Sequence, residues 1–378
     1  MTIVAAKLDS VSWDFTDAFT REGAHAIHPY PAKFIPQIPR TLIELFHPGD
    51  GQPVLDPFCG SGTTLVESML AGIDAVGIDL HPLATLIAKV KTTPLTVDLL
   101  KVGKEVCSAA KDTVMGGAAA VPDIPNLNHW FQKHVQEALA ALITEIRALP
   151  DADVSDALKV AFSSIVVRVS NQESDTRYAA VKKNVSRADV WSLFERAVGN
   201  VDAAVSSSRL QFHKPPKIRV VNKDLMDVEP HEVGQGIGLV VTSPPYPNAY
   251  EYWLYHKYRM YWLGMDPIAV REREIGARPH YFKKNHQTEH DFEEQMRKCF
   301  SLLSKVMLRG AYACFVVGRS VIHGRHIDNE ALLGRAAEPH GFVKAGQAAR
   351  TIASNRKSFN PAHSKINREG IVVFRLEG

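Results

Sequence analysis

The sequence predicts an α/β fold built on a mostly parallel sheet and interrupted by a helical insertion. Short apolar runs that end in Gly, Asp or Pro are typical of buried parallel strands. They occur at residues 53–56, 74–79, 218–222, 238–242, 312–318 and 370–376. Helical patterns at residues 62–71 and 82–90 follow the first two of these runs. Because strand, helix, strand, helix implies right-handed crossovers, we expect helices on both faces of the sheet.

The alternation of predicted strands and helices stops near residue 93 and resumes near residue 217. Apolar residues between 130 and 146 recur at spacings of three and four, and residues 157–169 and 188–205 repeat that pattern. Residues 116–125 are typical of a linker. We therefore predict a helical insertion over residues 100–214.

Composition excludes several classes of protein. Four cysteines in 378 residues, with no CxxC pair, exclude a disulfide framework and favour a reducing compartment, which we take as the cytoplasm. We see no secretory signal, and no apolar run reaches the roughly 18 residues of a membrane span. The net charge of +3 is small, but residues 309–378 hold eleven Lys/Arg against five Asp/Glu. That stretch is either a solvated basic surface or a surface that follows a phosphate backbone.

A glycine turn follows the first predicted strand, in the run DPFCGSGTT at residues 56–64. Gly60 and Gly62 allow close approach of a ligand, and Asp79 at the end of the next strand can accept both hydroxyls of a ribose. Leu65 replaces the third glycine of a dinucleotide fingerprint, and no Gly-Lys-Ser/Thr follows, which excludes a P-loop. Asp56 would repel a pyrophosphate but suits a sulfonium or ammonium group. These residues predict S-adenosylmethionine as the cofactor.

A second signal, Ser243-Pro244-Pro245-Tyr246, follows the strand at residues 238–242. A bare Pro-Pro most often makes a rigid turn, with the tyrosine packed in the core. Next to a cofactor turn, however, the Ser243 hydroxyl and the Pro244 carbonyl can hold the two hydrogens of a nucleobase amino group. Tyr246 can then stack on a base taken out of its helix, and Pro245 is mainly structural.

At these residues the chain resembles the DNA amino-methyltransferases of the N4-cytosine/N6-adenine type. Residues 56–64 and 242–246 are similar to the cofactor and catalytic motifs of that family, and residues 28–34 resemble an upstream element that completes the methionine side of the pocket. The resemblance implies a Rossmann-like methyltransferase fold with a seven-stranded sheet. It also implies a cofactor-binding set: Tyr30, Pro31, Ala32, Lys33, Phe34, Asp56, Pro57, Phe58, Gly60, Ser61, Gly62, Thr63, Thr64, Asp79, Leu80 and Asp224.

The resemblance further implies direct methyl transfer to a flipped base of double-stranded DNA, without a metal. Serine at position 243 is more typical of cytosine-N4 than of adenine-N6 enzymes. The chain then divides into a cofactor-binding part (1–99), an insertion that recognises DNA or dimerises (100–214) and a catalytic part (215–378). The expected partners are DNA and a cognate restriction endonuclease, with the protein a monomer or homodimer and no membrane involved.

Residues outside the two motifs give weaker indications. Aromatic and basic side chains after the catalytic motif and after the later strands suit DNA contacts; they are Tyr250, Tyr252, Arg319, Arg356 and Lys357. Cys59 lies inside the cofactor turn and is interpreted as a packing residue. Three alternatives stay open: an adenine-N6 DNA methyltransferase, an RNA guanine-N2 methyltransferase, and a non-catalytic DNA-binding protein with the same fold.

Overall fold

The structure, a computed structural model, describes residues 2–31, 34–49, 51–175, 177–209, 215–247, 251–282, 286–352 and 368–377. Within these ranges eleven strands are present: β1 Val54–Asp56, β2 Ala75–Asp79, β3 Gln172–Ser174, β4 Arg177–Ala180, β5 Ile218–Asn222, β6 Ile237–Thr242, β7 Met307–Gly318, β8 Ser320–Ile322, β9 Arg325–Ile327, β10 Phe342–Thr351 and β11 Arg368–Leu376.

The α-helices of the described residues are α1 Ile3–Asp9, α2 Gln37–Phe46, α3 Thr63–Leu70, α4 Pro82–Thr92, α5 Leu99–Met115, α6 Leu127–Trp130, α7 Lys133–Arg147, α8 Ala152–Val169, α9 Arg187–Arg209, α10 Pro230–Val233, α11 Tyr252–Leu263, α12 Pro267–Arg273, α13 Arg278–Phe282, α14 Glu289–Val306 and α15 Asn329–Ala337. None of them is long and apolar enough to cross a membrane.

Seven strands form one sheet in the order β10-β11-β7-β6-β1-β2-β5. The pairs from β7 to β5 are parallel, whereas β11 is antiparallel to both of its neighbours. The expected mostly parallel seven-stranded sheet is confirmed, and all six predicted strands are present. The sequence missed β10, because this edge strand exposes many of its side chains and its large apolar residues are confined to Phe342 and Val343.

Both faces of the sheet are covered, as expected for a parallel sheet. Along β7, alternate side chains point to opposite faces, so Phe315 packs with the residues of α14 and α15, while Cys314 and Val316 pack with those of α1 and α2. All four cysteines are buried and unpaired, which agrees with Cys59 as a packing residue.

A third core joins the helices of residues 99–209 to the sheet domain. It contains side chains from α5, α7, α8 and α9 together with Leu83 and Ile87 of α4 and Trp253 and Trp262 of α11. The predicted helices of the insertion are confirmed, but the β3–β4 hairpin that connects α8 to α9 was not predicted. The helices that flank the two sequence motifs therefore share one hydrophobic core with this region.

Candidate active site

The two sequence motifs meet because their strands are neighbours. β1 and β6 pair in parallel, with Leu55 opposite Val240, so the loops after both strands open at the same sheet edge. The Thr242 hydroxyl donates a 2.6 Å hydrogen bond to Asp56 and ties the two loops together. One cleft of about 910 Å³, counting space open to solvent, is lined by the glycine turn and by Ser243. Two segments that lie far apart in the sequence thus line one pocket.

The glycine turn depends on backbone conformations that favour glycine. Gly60 and Gly62 have φ values of +49° and +81°, and a Cβ atom at Gly62 would lie 2.7 Å from Cβ of Ala88 on α4. The buried ammonium group of Lys91, on α4, donates a 2.7 Å hydrogen bond to the Ser61 carbonyl in the turn. Sequence reasoning missed Lys91, since nothing in its local pattern shows that α4 packs against this loop.

Two acidic residues face the cleft from adjacent strands. Asp56 accepts hydrogen bonds from Thr242 and from the Phe58 amide, and Asp79 accepts 2.8 Å bonds from the amides of Gly60 and His81. Burial raises the pKa of each carboxyl to about 6, although the hydrogen bonds oppose that rise. Each Asp79 oxygen accepts one amide and keeps a second lone pair, so the carboxylate can still accept ribose hydroxyls.

A stacked aromatic wall closes one side of the cleft. The Tyr30 ring stacks on Tyr252 at 5.6 Å and on His256 at 4.9 Å between ring centroids. Burial raises the pKa of Tyr30 well above its usual value and lowers the pKa of His81 to about 4. Neutral rings therefore line this wall at physiological pH, which suits contact with a nucleoside.

The segment at residues 267–276 also borders the cleft, and its role was not predicted from the sequence. Arg273 pairs with the predicted cofactor residue Asp224 at 2.7 Å, while Val270 and Ile275 add apolar surface. Glu274 accepts the backbone N–H groups of Tyr252 and Trp253 at the start of α11, and burial raises its pKa to about 8. This segment lies far from both motifs in sequence, so no local signal connects it with the cofactor site.

Contacts of Tyr246, the last residue of the catalytic motif, hold that motif in place. Ser243 and Pro245 line the cleft. The Tyr246 hydroxyl lies 3.2 Å from Ser243 Oγ, and its single proton can point to the Val316 carbonyl at 3.3 Å or to Oε1 of Glu369 at 3.4 Å. Gly276, with φ of +77°, packs so closely on Tyr246 that a Cβ atom would lie 2.6 Å from the Tyr246 carbonyl oxygen.

Most of the predicted site residues that the structure describes lie around this cleft: Tyr30, Phe34, Asp56, Pro57, Phe58, Gly60, Ser61, Thr63, Asp79, Leu80, Asp224, Ser243, Pro245 and Tyr252. Thr64 instead donates to the Val241 carbonyl in the core, and Pro31 and Pro244 are buried. Arg319 is exposed just after β7. Ala32, Lys33, Tyr250, Arg356 and Lys357 lie outside the described residues.

The lining chemistry fits S-adenosylmethionine. Asp56 offers negative charge for a cation, Asp79 offers carboxylate acceptors for ribose hydroxyls, and Leu80 and Ile275 offer apolar surface for an adenine. The Arg273 guanidinium lies on Asp224 rather than on Asp56 or Asp79, so those two carboxylates keep their negative charge for the ligand.

The sheet order and the lining of the cleft fit an S-adenosylmethionine-dependent methyltransferase. Residues 7–89 match the family model described as DNA methylase. The chain is 27% identical over 255 residues to the type II methyltransferase M.MvaI of Kocuria varians, a match that covers 62% of this chain and 56% of that protein. The matched part of the chain is thus similar to a DNA methylase domain and to a type II methyltransferase.

Two shorter matches were also found. The type II methyltransferase M.MjaII of Methanocaldococcus jannaschii is 49% identical over 80 residues, which cover 20% of this chain and 14% of that protein. A tRNA (guanine(10)-N2)-dimethyltransferase of Methanothermobacter thermautotrophicus is 39% identical over 51 residues, which cover 14% of this chain and 15% of that protein. This chain thus spans little more than half of the Kocuria varians relative and a small part of the others.

Proposed function

We propose that this protein transfers a methyl group from S-adenosylmethionine to the exocyclic amino group of a base in duplex DNA, with cytosine N4 as the target. The observation that carries the proposal is the shared cleft. Ser243 borders the same space as Asp56, Gly60 and Asp79, so an amine held by the serine would lie beside a bound methyl donor.

The residues of the catalytic motif would orient the amine. An exocyclic amino group is a poor nucleophile because its lone pair is delocalised into the ring. If Ser243 Oγ and the Pro244 carbonyl accept its two hydrogens, the lone pair turns out of the ring plane toward the cleft. S-adenosylmethionine supplies the electrophilic methyl group on a sulfonium, and the Asp56 carboxylate supplies the negative charge that attracts a cation to this position.

The base must leave the duplex to reach Ser243, and unstacking it costs a few kcal/mol. We propose that the Tyr246 ring offsets part of this cost by stacking. Phosphate contacts from Arg319, and from Arg356 and Lys357 outside the described residues, would supply the rest. Tyr252 already stacks on Tyr30 in the cleft wall, so its predicted DNA contact would have to come through its remaining exposed edge.

The helical region of residues 100–214 is proposed to contact DNA or a second subunit. Arg168 and Lys182 are exposed in this region, at the end of α8 and after the β3–β4 hairpin. Replacing both with alanine should weaken DNA binding and flatten its salt dependence, because fewer counterions are released. Unchanged DNA affinity together with a changed oligomeric state would favour the second-subunit role.

The decisive test is methylation of duplex DNA by the purified protein with labelled S-adenosylmethionine, followed by nucleoside digestion and mass spectrometry. We expect N4-methylcytosine. Ser243→Ala should reduce the rate by at least ~10²-fold at unchanged cofactor affinity, since positioning of the amine is lost. The control is Ser304→Ala on α14, whose hydroxyl bonds only to its own helix in the described contacts. N6-methyladenine as the product would overturn the choice of base.

An RNA guanine-N2 methyltransferase is the second candidate, favoured by the 51-residue match to the tRNA enzyme. Parallel reactions with transfer RNA separate the two, because label confined to RNA as N2-methylguanosine overturns the DNA proposal. Tight cofactor binding without label on DNA or RNA would instead favour the non-catalytic protein.

A further inference from the structure

A chain of polar groups leads away from Ser243 into the protein. The Tyr246 hydroxyl lies 3.2 Å from Ser243 Oγ and 3.4 Å from Oε1 of Glu369, at the start of β11. The other oxygen of Glu369 lies 3.6 Å from Nε of Arg350, which pairs with Glu369 across the β10–β11 register. Four side chains from three distant segments thus form one connected path.

The protein encloses the end of this path that holds Arg350 and Glu369. The Arg350 side chain is 4% exposed and that of Glu369 is 18% exposed. A buried carboxyl and a buried guanidinium are costly to keep unless they serve each other or a third group. Burial raises the pKa of Glu369, whereas Arg350 and the Tyr246 hydroxyl oppose that rise. The carboxyl is therefore closer to taking up a proton at neutral pH than an exposed glutamate is.

The geometry points to Glu369 as the group that takes up the proton released from the methylated amine, through the hydroxyls of Ser243 and Tyr246. This inference rests on the proposed function. Methyl transfer forms a carbon–nitrogen bond, breaks the carbon–sulfur bond of the donor and leaves the amine with a positive charge. The amine then loses one N–H proton to Ser243 Oγ, Ser243 passes its own proton to Tyr246, and Tyr246 passes its proton to the Glu369 carboxylate.

The hydroxyls can transmit this proton but cannot store it, because each gains and loses one proton. Only the carboxylate ends with a net proton, and Arg350 fixes its orientation. Glu369 does not contact the amine; it acts through Tyr246 as a positioning residue, and it is also the final acceptor of the proton. Hydrogen bonds of 3.2–3.4 Å are long for hydroxyl donors, but such contacts commonly shorten when substrate binds.

Few other charged groups surround Glu369 among the described residues. Arg350 faces it from β10, the Tyr246 hydroxyl from the catalytic loop, and Glu330 of α15 approaches its neighbour Gly370. Arg319 and Arg368, near the ends of β7 and β11, are exposed and are screened by solvent. Arg350 is thus the described cation that pairs directly with Glu369.

The test compares single-turnover methylation rates over pH for the full chain and three variants. Glu369→Gln removes the acceptor, Tyr246→Phe keeps the stacking ring but removes the hydroxyl, and Glu369→Asp keeps a carboxylate. General acid–base catalysis commonly contributes 10²–10⁴-fold, so we expect Glu369→Gln and Tyr246→Phe to lose at least ~10²-fold in rate. Affinity for the cofactor should not change, since Glu369 does not border the cleft in the described residues.

The pH profile separates this role from a structural one. The wild-type rate should fall at low pH as Glu369 becomes protonated, and that acidic limb should vanish in Glu369→Gln but persist in Glu369→Asp. Infrared titration of the protein without substrate should find a carboxyl band, absent in Glu369→Gln, whose pKa matches the limb. Glu377→Gln, at the end of the same strand, is the matched control and should behave as wild type.

Failures of the two proposals are distinguishable. A wild-type protein that methylates no amine overturns the proposed function and the relay with it. A wild-type protein that methylates DNA, with Glu369→Gln at a similar rate or with an unchanged acidic limb, overturns the relay alone. A Glu369→Gln variant that also loses cofactor affinity or unfolds at lower temperature assigns Glu369 a structural role and likewise overturns the relay.

Discussion

Replacing Asp56 by asparagine should make the protein more stable and weaken its binding of the cofactor. Asp56 is 2% exposed and accepts hydrogen bonds from Thr242 and Phe58, contacts that an asparagine carbonyl can keep. A rise of its pKa from 3.8 to about 6 corresponds to about 3 kcal/mol at about 1.4 kcal/mol per pH unit. Asp56→Asn removes this cost of a buried charge.

The sign of the pH dependence follows from linkage. Between about pH 4 and pH 6 the folded state binds more protons at Asp56 than the unfolded state, so wild-type stability falls as pH rises through this range. The increase in the free energy of unfolding caused by Asp56→Asn should therefore be absent below about pH 4 and complete above about pH 7. With an unfolding entropy of about 2.1 cal/mol/K per residue, 3 kcal/mol raises the melting temperature by roughly 4 °C.

Urea unfolding of both proteins at several pH values measures the stability, and calorimetric titration measures the affinity. We expect S-adenosylmethionine to bind at least ~10-fold more weakly to Asp56→Asn, because one attractive charge is lost. S-adenosylhomocysteine lacks the sulfonium charge, so its affinity should fall less than that of S-adenosylmethionine when Asp56 is replaced by asparagine. Asp328→Asn, at the exposed N-cap of α15, is the control. Destabilisation by Asp56→Asn that grows as pH rises would show that the ionised carboxylate stabilises the fold, and would refute the reasoning.

Two glycine substitutions test the loops of the cleft. Gly62→Ala should lower the free energy of unfolding by about 2–5 kcal/mol, from left-handed backbone strain and the clash with Ala88, as measured by urea unfolding. Gly276→Ala should displace Tyr246 and slow methyl transfer in single-turnover assays, with cofactor affinity within about threefold of wild type. Gly324→Ala is the control for both, since it has a similar φ of +80° and open space around its Cβ position. A Gly62→Ala protein no less stable than that control, or a Gly276→Ala protein with a normal rate, would contradict these contacts.

The sequence was sufficient for the central sheet and the two motifs, because buried parallel strands and the loops after them carry local signals. It was insufficient for β10, whose run FVKAGQAART pairs mainly through its backbone and needs few large apolar side chains. An edge strand of this kind takes its stability from its neighbour, and the neighbour cannot be read from the strand itself.

The same limit applies to the cleft. Ser243 and Asp79 could be placed because each follows a recognisable strand. The sequence did not reveal three further residues of the site, Lys91, Glu274 and Glu369. Each of them lies on an element whose local sequence pattern shows no sign of contact with the site. The hydrogen-bonding partners of a loop are set by tertiary packing, which local periodicity does not encode.

The hydrophobic core shared by α4, α11 and the helices of residues 99–209 restricts how this protein can be re-engineered. The buried His28 bonds to the Ser163 hydroxyl of α8, and Arg259 of α11 donates to the Ser163 carbonyl. Cutting the helical region out, or grafting it from a relative, would therefore uncover apolar side chains next to the cleft and remove these supports. The proposed DNA contact of this region is therefore better tested by exchanging individual surface side chains on these helices than by removing or swapping the whole region.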